Sequence, residues 1–152
     1  MEFDTLQGLY KEKVLEHCRK PHNRKRLESP GLHTKAVNPF CGDEIEIEMR
    51  LEGDTIVEIG LVGEGCAINQ ATGSLLSDAL LGKSVQDAGR LAEAFRDLMA
   101  GEMLSEEQEL LIGDMTLLDN VRDFPVRIKC TLLSISALED ALSAYRKTGK
   151  TA

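Results

Sequence analysis

Positive charge is what this chain is short of. Its 18 Lys plus Arg stand against 26 Asp plus Glu, a net charge of −8, which is the wrong sign for a surface that neutralises nucleic-acid phosphates. No apolar run approaches the roughly 18 to 20 residues that cross a bilayer. The opening MEFDTLQGLYKEK has neither the basic end nor the apolar stretch of a secretory signal. Nucleic acid and membrane are therefore unexpected as partners, and the cytoplasm is the expected compartment. Internal repeats and low-complexity segments are absent as well. So is any CxxC pair, because no two of Cys18, Cys41, Cys66 and Cys130 are closer than 23 positions. A reducing compartment disfavours structural disulfides, which leaves free thiols, metal ligands or both. All three histidines (His17, His22, His33) precede Cys41, and no H-x-E with P-C-x-x-C is found. A zinc hydrolase or deaminase, which keeps water on its metal beside a general acid or base, lacks its parts.

The 152 residues are enough for one domain with one core. Apolar residues from Thr5 to about Arg19 keep near-helical spacing until Pro21 stops them. The following RKPHNRKRLESPG, with its Lys, Arg and turn residues, reads as an exposed linker, either a solvated surface or a docking patch for an acidic partner. HTKAVNPF suggests a short strand. Ile45, Ile47, Met49 and Leu51 then alternate with Glu44, Glu46, Glu48 and Arg50, the pattern of a strand with one face buried and its glutamates in water. EGDT makes a hairpin turn into TIVEIGLV, and GEGCA breaks that second strand. Everything beyond is predicted helical: CAINQATGSLLSDALLG up to Gly82, segments capped by Ser84 and by Ser105 with Gln108, and a last helix opened by Pro125. The predicted fold class is α+β, a small antiparallel β-sheet with several helices packed on one face.

On this plan Cys41 falls in the loop entering the long strand, Cys66 in the Gly-rich turn that opens a helix, and Cys130 in the first turns of the last helix. Asp43 stands two residues from Cys41, a spacing that lets both side chains point the same way. Three Cys and one Asp would complete a four-coordinate zinc site, and three unrelated buried thiols would fit the spacing as well. A helix N-terminus favours the thiolate form of a cysteine, and Gly63 and Gly65 let backbone N–H groups approach Cys66. Arg127 and Lys129 put positive charge around Cys130 at a helix start, where Asp or Glu is usual.

NPFCGDEI, GEGCAINQATGSLLSDAL and DFPVRIKCTLL, in that order, resemble the three cysteine motifs of the U-type iron–sulfur cluster assembly proteins, the family of IscU, SufU and the N-terminal part of NifU. LYKEKVLEHCRKPHNR is similar to that family's first helix and linker, so the resemblance spans nearly the whole chain. It is nearest to the SufU branch, on two grounds: an extra helical stretch, about residues 99–123, and Lys129 where the IscU branch has histidine. The resemblance implies a SufE/NifU-like fold over residues 1–152 as a single domain, with 99–123 as a helical insertion. It implies one Zn²⁺ on Cys41, Asp43, Cys66 and Cys130. It further implies that Cys41 accepts persulfide sulfur from a SufS-type cysteine desulfurase, whose own ligand replaces Cys41 on the metal. The sulfur then passes to the cluster assembly machinery, a downstream scaffold or apo iron–sulfur proteins. Such a chain is a sulfur-transfer protein rather than a stand-alone enzyme. The alternative within the family is a scaffold for a transient [2Fe–2S] cluster, since thiolates serve iron clusters as readily as zinc. Cys18 matches no family cysteine and is left out of the site. Ile135 and Ser136 depart from the Trp and His of many relatives.

Overall fold

A computed structural model describes residues 12–38 and 42–147. The first eleven residues of the chain, where the first part of the expected first helix falls, lie outside the described residues, as do Cys41 and its two predecessors. Helix α1 (Glu12–Arg19) leads through a linker to strands β1 (Leu32–Val37), β2 (Glu44–Glu52) and β3 (Thr55–Glu64). These form one antiparallel sheet in the order β1-β2-β3. The helices that follow are α2 (Ala67–Leu80), α3 (Val85–Met99), α4 (Glu106–Ile112) and, after a 3-10 stretch (Gly113–Asp123), α5 (Pro125–Lys147).

Alternation in β2 sends Ile45, Ile47 and Met49 into the core, where α2 packs on β3 and α5 on β1 and β2. Thr34 on β1 donates its hydroxyl to the Ala137 carbonyl of α5 at 2.7 Å. The register shifts between Arg50 and Leu51, so Leu51 leaves the buried row and is only partly covered. A bulge of this kind re-aims the side chains beyond it. Strand β3 runs on through Gly60 and Gly63 to Glu64, farther than its glycines suggest. Ser84 and Ser105 cap α3 and α4 as expected, Ser105 and Gln108 forming a complete capping box. Pro125 is the first residue of α5.

The linker is largely exposed, as expected, and it is also tied across the outer face of the sheet. Arg26 makes a two-pronged ion pair with Glu46 (3.0 and 3.2 Å). The Leu27 N–H donates to Glu48 at 2.8 Å, Lys25 reaches Glu58, and the Leu61 N–H of β3 donates to the Asn23 carbonyl at 2.9 Å. Glu48 is consequently buried, not in water. The strap passes close over Gly60, where a Cβ would lie 2.3 Å from the Lys25 carbonyl. Covering a sheet edge and pairing its N–H groups removes a template for unwanted strand pairing. Lys25 and Arg26 are thus paired with the chain's own acids, and Arg24 reaches Gln70 and the Gly63 carbonyl.

Candidate metal centre

Three of the sequence-predicted site residues meet at one end of the sheet. Asp43 immediately precedes β2, Cys66 is the residue before α2, and Cys130 lies in the second turn of α5. The Glu44–Glu64 pairing closes the β2/β3 ladder beside them. One ligand atom from each of Asp43, Cys66 and Cys130 lies within 4.8 Å of the other two. Asp43 and Cys130 are buried and Cys66 is partly so.

The local chain explains the convergence. Cys66 has extended backbone at the N-cap position and makes no side-chain cap, and the first turn of α2 carries no acidic residue. The carboxylate of Asp43 takes that place, accepting the Cys66 N–H at 3.4 Å. A helix N-terminus favours an anion there, whether carboxylate or thiolate. Gly65 is what lets the parts close up. A Cβ on it would fall 2.3 Å from Asn69 Nδ2 and 2.8 Å from Asp43 Oδ2. On the other side, Asn38 and Gly42 are linked by the Gly42 N–H to the Asn38 carbonyl at 2.8 Å, and the Asn38 N–H donates to the Asp43 carbonyl at 2.8 Å. Gly42 takes the left-handed conformation (φ 76°) that this turn requires. Cys41 is the residue before Gly42 in the sequence and lies outside the described residues.

The donor set fits a small cation. Thiolate and carboxylate ligands at about 2.3 and 2.1 Å in tetrahedral arrangement are separated by about 3.5 to 4 Å, within the observed spacing. Asn69 Oδ1, buried beside this cluster, has no hydrogen-bond partner among the described residues. A buried polar group left unpaired costs about 1–3 kcal/mol, and such groups gather where a site is built for something else. Sequence reasoning overlooked Asn69; the signal was a polar residue among the apolar positions of α2.

Arg127, half-buried, and Lys129, exposed, lie on the turns of α5 that carry Cys130. Cys18 is nearer than the sequence suggested. Its Sγ lies 3.4 Å from the Ala67 carbonyl, one residue past Cys66. Burial, and then the neighbouring Cys66, push the Cys18 thiol up.

A family model described as the NifU-like N-terminal domain matches residues 9–131. The zinc-dependent sulfurtransferase SufU of Bacillus subtilis is 35% identical over 144 residues, covering 94% of this chain and 96% of that protein. The iron–sulfur cluster assembly scaffold protein IscU of Streptococcus pyogenes is 36% identical over 143 residues, 93% of this chain and 87% of that one. Among solved structures, a SufU protein of Fervidobacterium islandicum superposes with a TM-score of 0.82 at 28% identity, covering 90% of this chain and 98% of that one. An N-terminal NifU-like protein of Brucella abortus, 18% identical, shares the fold with a TM-score of 0.84 over 94% and 98% of the two chains. By motif order, fold and family match together, the chain belongs to the NifU-like N-terminal domain family.

Proposed function

We propose that this protein serves iron–sulfur cluster biogenesis as a zinc-dependent acceptor of persulfide sulfur, with Cys41 as the acceptor. Cys41, Asp43, Cys66 and Cys130 would hold the ion. The observation that carries the reading is the convergence of Asp43, Cys66 and Cys130 at the end of β2 and the start of α2. The similarity to the Bacillus SufU sulfurtransferase over nearly both full lengths supports it. The family fold, spanning residues 1–152 as one domain, would carry residues 99–123 as a SufU-type helical insertion. In the structure that segment contains α4 and the 3-10 stretch.

Bound zinc would keep its cysteine ligands as thiolates near neutral pH. The transfer itself is a thiol exchange. The Cys41 thiolate attacks the terminal sulfur of a donor persulfide; the new S–S bond forms on Cys41 as the donor's S–S bond breaks, and the donor departs as a thiolate. No electrons enter or leave. Asp43 is held at the helix N-terminus by the Cys66 N–H, which would leave Cys41 as the ligand to be exchanged. Arg127 and Lys129 would offset the surplus negative charge of three thiolates and a carboxylate. The sulfur donor is a SufS-type cysteine desulfurase, the recipient a downstream scaffold or an apo iron–sulfur protein, and the setting the cytoplasm.

A second reading, assembly of a transient [2Fe–2S] cluster on the same donors, draws on the 36% identity to the Streptococcus IscU scaffold. Lys129 in place of histidine favours transfer. The test is metal content as purified, followed by cysteine turnover of the desulfurase with and without this protein. About one tightly bound zinc per chain and strong stimulation, lost in Cys41→Ala with the fold intact, are expected. A Cys41→Ala variant that stimulates as well as the parent refutes the acceptor role. A stable iron–sulfur cluster that forms without stripping zinc and passes to an apo-protein makes the scaffold the primary role.

A further inference from the structure

A second cluster of ligating side chains lies away from the thiols. His17 is in the last turn of α1, His22 in the linker, and Asp78 in the last turn of α2. Ser74, one turn before Asp78, ties the two histidines together. Its Oγ is 2.6 Å from His17 Nδ1 and accepts the His22 backbone N–H at 2.7 Å. The rings are 4.4 Å apart at a tilt of 46°, and His22 Nδ1 is 2.6 Å from Asp78 Oδ2. One ligand atom from each of the three residues lies within 4.8 Å of the others.

We propose that His17, His22 and Asp78 form a second site, for a divalent transition cation of the zinc class. Two imidazoles and one carboxylate suit Zn²⁺, Fe²⁺ or Co²⁺ and disfavour Mg²⁺ and Ca²⁺, which take oxygen ligands. The three donors come from separate segments, and one of them is anchored. His17 is buried and hydrogen-bonded to Ser74, the kind of outer contact that orients a metal-binding imidazole. His22 and Asp78, with side chains 52% and 42% exposed, open to solvent, so an ion can come in and water can complete its coordination. Tetrahedral ligands on such an ion are about 3.3 Å apart. The His22–Asp78 contact must therefore widen by less than an ångström, which exposed side chains allow.

Asp78 is twelve residues beyond Cys66, about 18 Å along the helix axis. The second site shares no donor with the thiol centre. A bound ion would clamp α1 and the linker onto α2.

The experiment uses the full chain, stripped of metal and titrated with Co²⁺, with total uptake measured by equilibrium dialysis and the thiol centre by its thiolate-to-cobalt absorption band. Uptake of two equivalents by the parent is expected, the second without any gain in that band. His22→Ala and Asp78→Asn should each weaken the second equivalent by about tenfold or more while the thiolate band is unchanged. Uptake that stops at one equivalent, or a second equivalent that survives in both variants, overturns the site and leaves a surface ion pair only. Absence of the thiolate band would count against the thiol centre alone, because the His22-dependent equivalent is scored separately.

Discussion

Gly65 shows how a residue without a side chain shapes the thiol centre. One of its Cα hydrogens faces Asn69 and Asp43 so closely that a methyl group in its place would meet one at 2.3 Å and the other at 2.8 Å. Neither neighbour has room to retreat, since both are buried. Gly65→Ala is expected to push the Asp43 carboxylate out of line and weaken zinc retention by about 10- to 100-fold, the range seen when groups behind metal ligands are altered. Competition with a chromophoric chelator measures this, with circular dichroism to show that the helices persist. Retention equal to the parent's would mean that Asp43 is not positioned by this contact. At the same scale, Cys18 illustrates a limit of sequence. Its motif position marked it as an outsider, whereas its place beside Ala67 and its raised thiol pKa follow from how α1 lies against α2, which no local pattern records.

Among the elements, the linker strap does most to separate what is legible in the sequence from what is not. Strict Ile/Glu alternation announces β2, serines followed by helix formers announce α3 and α4, and Pro125 announces α5, because each signal is local. The sense of the basic run is not local. Arg26 and Lys25 find Glu46, Glu48 and Glu58 only once β2 and β3 are paired and the linker crosses them. The thiol centre divides in the same way. Element ends bearing Cys and Asp were visible, and the family resemblance supplied their order, but the Gly65 cradle and the orphaned Asn69 oxygen exist only in three dimensions. The strap has a pH signature. Arg26 first, and His33 second, pull the Glu46 carboxyl down to about 2, from 4.5 in its ordinary state. A depressed carboxylate stabilises the fold fully above its unfolded pKa and loses that contribution as pH falls through the folded value. Glu46→Gln should therefore cost about 1 kcal/mol at pH 7, with the difference shrinking between pH 4.5 and 2 and gone below. Urea unfolding across that range measures it. A difference independent of pH would assign the effect to packing rather than charge.

At the scale of the whole molecule, the sheet and two long helices bring donors from distant parts of the sequence to one rim, with α3, α4 and the 3-10 stretch packed behind. Its buried apolar cluster runs from Val14 to Tyr145, a core of the extent that ordinarily folds without a metal, so under the proposed function an ion at the rim would serve exchange rather than folding. The chain carries a net charge of −8, and among the described residues no helix is long and apolar enough to cross a membrane. Under the proposed function, sulfur arrives on Cys41. The measurement that meets it most directly is peptide mass mapping after brief incubation of the zinc-loaded protein with a cysteine desulfurase and cysteine, free thiols having been alkylated. One added sulfur atom on the peptide containing Cys41, absent in Cys41→Ser, is the expected result; sulfur on Cys18, Cys66 or Cys130 with Cys41 unmodified would contradict it.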